Sequence, residues 1–382
     1  MTRRLNARAG RVLHVAALLL ALLVTGPAPA DPAARPFTRR DAANIIANAR
    51  KIVTPHGIER LERVRIGGID QWVSIRGTDT RNPVLLLIHG GPGYVSMPMS
   101  WWFTRGWEEY FTVVQCDQRG AGKTFLHNRP AAVAPTMSRE RMLADTEEMA
   151  GWVRAGLGKK KIFVVGHSWG SYLGLELAKR HPDWLHAYIG VGQVTDGPES
   201  ERRGWAFALA GARSAGNAEA VRQLKAIAPY FAPGRTPPIG DIYTQRRWLQ
   251  LYGGVMAHRP RSSAESDLAN LSPDYTDAEI ERIWDGNDFS EPYLLPELLS
   301  LDLTGIRKLD CPLIIFAGRY DVNVNAQVAA QWFAKVQAPS KRLVWFENSA
   351  HLPMTEEPGK FLISLVRYAR PFAERAGDVP PP

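Results

Sequence analysis

Cysteine is scarce: the 382 residues hold two, Cys116 and Cys311, too few for a disulfide scaffold. Cys116 ends the apolar run Thr112 to Cys116, whereas Cys311 precedes the run Pro312 to Ala317. In a parallel sheet those positions fall at opposite edges, so two free, buried thiols are expected. Cysteine and histidine pairs at zinc spacing are missing, as is any His-Glu-x-x-His, so neither a metal nor another cofactor is expected. Repeats of 20 to 50 residues and linker-length low-complexity tracts are also absent. Gly120-Ala-Gly-Lys-Thr124 looks like the end of a phosphate-binding loop, but the glycine required five residues before Gly122 is Asp117. Gly91-Pro-Gly93 lacks the third glycine of a dinucleotide fingerprint.

What is present reads as globular: 45% hydrophobic and 22% charged residues can bury a sizeable core. The formal charge is +9, and four of those charges sit at the start, on Arg3, Arg4, Arg8 and Arg11. They precede an apolar run, Val12 to Val24, and small residues at Ala28 and Ala30. A spanning helix needs about 20 apolar residues, so residues 1–30 are expected to be a cleavable export signal, with no stable membrane insertion afterwards. The expected address is periplasmic or secreted. The remaining positive charge neither clusters on one helix nor interleaves with aromatics, which excludes nucleic acid as a partner. Oligomeric state leaves no trace in the sequence.

Residues 31–58 are expected as an N-terminal extension with a helix, since Ile45, Ile46, Ala49, Ile52 and Val53 recur at helical spacing. Two stretches between Glu59 and Arg76 flank Gly67-Gly68, which predicts an antiparallel hairpin. Short continuous apolar runs follow at Val84 to Ile88, Val113-Val114, Ile162 to Val165, Ile189 to Val191, Leu313 to Phe316 and Leu343 to Phe346. They alternate with helical segments at Arg139 to Arg154, Ser171 to Arg180, Ala326 to Val336 and Lys360 to Ala373. Strands buried on both faces predict an α/β fold, a mostly parallel sheet with helices on both faces. Residues 193–305 break the alternation and are expected as an inserted helical cap, with helices at Ala218 to Ile227 and Thr244 to Met256. The catalytic domain is then 59–192 with 306–382.

Gly166-His167-Ser168-Trp169-Gly170 lies between a strand and a helix, the setting of a nucleophile elbow. A serine hydroxyl needs a base, and the base an orienting acid. In the chain order serine, acid, histidine, Asp321 and His351 each follow an apolar run, at the strand ends where α/β sheets bind ligands. Asp310 and Asp302 as acids, and His89, His167 and His181 as bases, are worse placed. His89-Gly90-Gly91-Pro92-Gly93 offers backbone N–H groups for an oxyanion: Gly91 first and Gly90 next, with Trp169 as the second donor.

Together, His89-Gly-Gly-Pro-Gly93, Asp117-Gln-Arg-Gly120 and Gly166-His-Ser-Trp-Gly-Ser171 resemble the proline iminopeptidase (prolyl aminopeptidase) branch of the α/β-hydrolase superfamily. The resemblance spans about residues 59–192 and 306–373. It implies a metal-independent serine hydrolase with a helical cap that releases an N-terminal residue, often proline, from peptides. The family binds the substrate amine with cap glutamates, one commonly in a Trp-x-x-Trp-Glu context. Here the nearest stretch, Trp248-Leu-Gln-Leu-Tyr252-Gly253, ends without that acid.

The expectation is thus an exported serine hydrolase acting on a small-molecule or short-peptide substrate, an aminopeptidase first. A carboxylesterase with the same triad and an inactive binding protein on a hydrolase scaffold are the alternatives. Residues 262–305 carry eleven acids against Arg282 alone. They form either an electronegative wall facing a cationic N-terminus or a solvated helix face.

Overall fold

The structure is a computed structural model, and it describes residues 35–259 and 263–381. The expected export signal, residues 1–30, lies outside them. The chain divides into Met1–Thr38 and Arg39–Pro382. In the first unit, residues 35–38 carry no helix or strand. None of the described helices is long and apolar enough to cross a membrane.

The second unit opens with helix α1 (Arg39–Arg50) and is organised on one eight-stranded sheet. Its strands are β1 (Ile58–Ile66), β2 (Ile69–Gly77), β3 (Val84–Ile88), β4 (Thr112–Asp117), β5 (Ile162–His167), β6 (Leu185–Val191), β7 (Leu313–Gly318) and β8 (Lys341–Phe346), in the order β1-β2-β4-β3-β5-β6-β7-β8. Gly67 and Gly68, both at positive φ, turn β1 into antiparallel β2. The β2–β4 pairing is also antiparallel, and the pairs from β3 to β8 are parallel. Pleating divides each central strand between two cores. In β3, Val84, Leu86 and Ile88 face one and Leu85 and Leu87 the other. That double burial is why these strands read as unbroken apolar runs. Cys116 and Cys311 are free and buried, and burial raises their thiols to about 12 and about 11.

Helices α2 (Arg139–Gly156), α3 (Trp169–Arg180) and α10 (Ala326–Lys335) serve as crossovers. Between β6 and β7 lie six others: α4 (Gly197–Ser214), α5 (Ala218–Ala226), α6 (Ile239–Leu251), α7 (Ser263–Asn270), α8 (Asp277–Glu281) and α9 (Asp285–Leu299). Two expected helices differ from what is observed. The one expected over Thr244 to Met256 is α6, which starts after Pro238 and stops at Leu251, because Gly253 takes φ +86. The one expected over Lys360 to Ala373 is broken by a π turn at Leu365–Ala369. Pro371 cannot donate to the carbonyl four residues back, so the ladder widens there.

Side chains at the end of β4 and just after it hold these inserted helices. Tyr275 donates its hydroxyl to Asp117 Oδ2 (2.6 Å), while Lys123 Nζ reaches Glu279 Oε2 (2.5 Å) and lies over the Tyr275 ring. Burial raises the Asp117 carboxyl to about 7, despite the bonds it accepts from Tyr275 and the Lys123 N–H.

Candidate active site

Ser168 sits between β5 and α3 at φ 53, ψ −117, a conformation that costs a side-chain-bearing residue about 1–3 kcal/mol. Two glycines leave no alternative path. A Cβ on Gly166 would stand 2.4 Å from the Gly170 carbonyl oxygen, and one on Gly170 would stand 2.1 Å from that of Ile88. The turn is pinned where the Ser168 N–H donates to Val191 O (2.9 Å) and Ser171 Oγ donates to Ser168 O (2.6 Å).

Asp321 and His351 stand on the turns after β7 and β8, and both are buried. His351 Nδ1 lies 2.9 Å from Asp321 Oδ2, while Asp321 Oδ1 accepts the N–H groups of Asn323 and Val324, each at 3.0 Å. Burial alone would raise the Asp321 carboxyl, but the imidazole beside it and these N–H donors hold it below its ordinary value. A carboxylate at Nδ1 selects the tautomer with its proton there, leaving the Nε2 lone pair to act as a base. His351 is fixed on its other sides too. Its N–H donates to Val255 O (2.8 Å), and its carbonyl accepts from His167 Nε2 (2.9 Å). A Cβ on Gly192 would stand 2.7 Å from the ring. Burial lowers His167 to about 3, so its ring is neutral. Ser168 and His351 share one cavity wall, though among the described residues no hydrogen bond joins Ser168 Oγ to His351 Nε2.

Gly90 and Gly91 line the same cavity. A Cβ on Gly90 would come within 3.2 Å of Ser168 Cβ, and one on Gly91, at φ +112, within 2.5 Å of two backbone nitrogens. Trp169 is the first residue of α3, so its N–H has no acceptor within the helix. Its indole, fully buried, donates to Gln118 Oε1 (3.0 Å), and Gln118 in turn donates to His89 O (2.9 Å) and, through its N–H, to His89 Nε2 (3.1 Å). Arg119 Nε meets Asp145 Oδ2 at 2.8 Å. Asp117-Gln118-Arg119-Gly120 thus ties the elbow to the glycine turn and the inserted helices to the sheet. Of the other candidates, His181 stacks on Trp184 (3.9 Å) and Asp310 is exposed and pairs with Lys308, while His167 lines the cavity and is held by the His351 carbonyl and His89 is tied to Gln118.

The cavity measures about 560 Å³. Of the eleven acids between 262 and 305, Glu265 and Glu291 line it. Others face elsewhere, with Asp277 on Arg39, Glu297 on Arg139 and Asp285 on Arg282. Glu265 is 5% exposed and accepts the Tyr94 hydroxyl at 3.2 Å. Burial raises its carboxyl to about 7, against the bond from Tyr94 and the nearby His351. Glu201, also on the wall, is occupied: Arg246 Nη1 and the Tyr230 hydroxyl reach Oε2 at 3.0 and 2.9 Å, and Arg246 Nη2 reaches Oε1. Leu295, Leu298, Leu299, Val194 and Val324 make much of the rest apolar.

Tyr94, Gly192, Glu201 and Arg246 were not legible as site residues. Gly192 alone carried a signal, as a glycine directly after a strand. Among the described residues no group of three or more His, Cys, Asp or Glu is arranged to hold a metal.

Residues 83–358 match the family described as alpha/beta hydrolase fold. The chain is 31% identical over 318 residues to a probable aminopeptidase, YbaC, of Bacillus subtilis (strain 168), covering 81% of this chain and 96% of that one. It is 22% identical over 306 residues to a proline iminopeptidase of Elizabethkingia meningoseptica, covering 80% of this chain and 95% of that one. The crystal structure of the proline iminopeptidase of Mycobacterium smegmatis superposes with a TM-score of 0.60 at 17% identity, covering 83% of this chain and all of that one, a likeness of fold. The chain belongs to the α/β-hydrolase family, in its proline iminopeptidase-like branch.

Proposed function

We propose that the protein is an exported serine aminopeptidase of proline iminopeptidase type. The observation that carries the reading is a strained elbow serine on the same cavity wall as a histidine whose Nδ1 is held by a buried carboxylate. Ser168 Oγ attacks the acyl carbon of the N-terminal residue as His351 Nε2 takes its proton. Asp321 fixes the ring and stabilises the imidazolium. The N–H groups of Trp169 and Gly91, with Gly90 in support, meet the oxyanion. His351 then protonates the leaving amine, and water returns the acyl-enzyme to serine and free acid.

For the substrate's ammonium group we assign Glu265. It is buried beside His351, lines the cavity, and among the described residues accepts a hydrogen bond from the Tyr94 hydroxyl alone. Glu201 is engaged by Arg246. Export rests on the pattern of residues 1–30 and predicts a mature N-terminus at Asp31.

Turnover of prolyl and other aminoacyl amides, compared with their N-acylated forms and with short acyl esters, tests the reading. Loss of turnover on blocking the amine is expected. Ester turnover indifferent to a free amine would instead make the protein an acyl hydrolase, a reading that the apolar wall of leucines and valines would favour.

A further inference from the structure

The segment after α6 is neither helix nor strand, and it runs between the two turns that carry Asp321 and His351. Several of its hydrogen bonds go to those turns. Gly254 O accepts the N–H of Val322 (3.3 Å), and Val255 O accepts the N–H of His351 (2.8 Å). The Ala257 N–H donates to Glu356 Oε1 (2.6 Å), while Oε2 of the same carboxylate accepts the N–H of Ala350 (2.8 Å). His258 sets its ring against Tyr320 at 4.8 Å between centroids. Residues 254–258 therefore form a strap, and the Glu356 side chain clamps it to the residue before His351.

Glu356 is not among the residues that line the cavity. A carboxylate that accepts two backbone N–H groups makes charge-assisted bonds, roughly twice as strong as neutral ones. Each oxygen holds a different partner, so the clamp fixes the spacing between the strap and the histidine turn. Val255 O, which sets the main chain of His351, sits two residues from the clamped Ala257. Small errors in the placement of a base are costly: a shift of about 1 Å can lower a rate by about 10²-fold.

We propose that Glu356 is a positioning residue for His351, acting by clamping the strap 254–258 to the turn that carries the histidine. This inference rests on the reading of Ser168, His351 and Asp321 as the reacting groups. In Glu356→Gln the shape is kept, but an NH₂ replaces one acceptor, so either Ala257 or Ala350 loses its partner.

The experiment compares wild-type protein and E356Q in the rate of covalent labelling by a fluorophosphonate, and in kcat and KM for a small aminoacyl amide. Labelling rate and kcat are expected to fall together by about 10-fold, with KM changed by less than about 2-fold. Wild-type labelling matched by E356Q overturns the clamp alone, and so does a rise in KM at constant kcat. A wild-type protein that does not label overturns the triad reading and the clamp with it. If E356Q does not fold, amide hydrogen exchange on the unmodified protein decides. Ala257, Ala350 and His351 should exchange slowly and at matching rates, whereas fast exchange at Ala257 beside slow exchange at His351 overturns the clamp.

Discussion

The rim of the sheet and the helices inserted above it build one cavity by different means. At the rim, positions are dictated by short turns at the strand ends: Gly166 and Gly170 force the elbow, and Asp321 holds a ring carried on the neighbouring strand's turn. Above it, the polar groups are set by partners far apart in the chain, such as Glu201 with Arg246 and Tyr94 with Glu265. Chemistry that depends on local geometry leaves a motif, whereas recognition that depends on distant packing leaves only composition.

The largest expected effect lies at the rim. Ser168→Ala should lower kcat by about 10⁴-fold or more with the thermal midpoint unchanged, checked by turnover and melting on one preparation. A parallel loss of fold would mean that the elbow serves stability instead. Next comes Gly192→Val, which drives side-chain atoms into the His351 ring. A loss of about 10²-fold in kcat at little cost in KM is expected, and wild-type kinetics would show the ring is not confined there.

The inserted helices should respond in stability and selectivity. Arg246→Ala strands the buried Glu201 carboxylate, so a destabilisation of about 3 kcal/mol is expected in denaturant unfolding. Smaller still is Glu265→Gln, expected to raise KM for aminoacyl amides by about 10-fold while leaving short esters unaffected.

The pH dependence of that last effect has a definite sign. Burial raises the Glu265 carboxyl to about 7, so it is protonated below that pH and ionised above it. KM for an aminoacyl amide should therefore fall as pH rises through about 7. His351, Tyr94 and Glu356 also face Glu265, so the profile for an ester supplies the reference. The difference between the two profiles should vanish in Glu265→Gln.

The sheet was readable almost strand by strand because double burial writes continuous apolar runs, as in Val84–Ile88 and Leu313–Gly318. Ser168, His351 and Asp321 were readable because an elbow and strand-end turns have short signatures. Gly192 was not singled out: its place directly after β6 marks a turn, but not that the turn lies beneath the His351 ring. Nor was the strap, whose residues have their partners at Val322, His351 and Glu356, and which the helical spacing over Thr244 to Met256 concealed. The acidic stretch was visible as composition, but which two acids turn inward depends on how α7 and α9 pack.

The ratio of kcat/KM for a prolyl amide with a free amine to that for its N-acetylated form tests the central claim most directly, measured in wild-type protein and in Glu265→Gln. A preference of about 10²-fold or more for the free amine, reduced about 10-fold by the substitution, is the predicted result. Equal turnover of the two amides would contradict it.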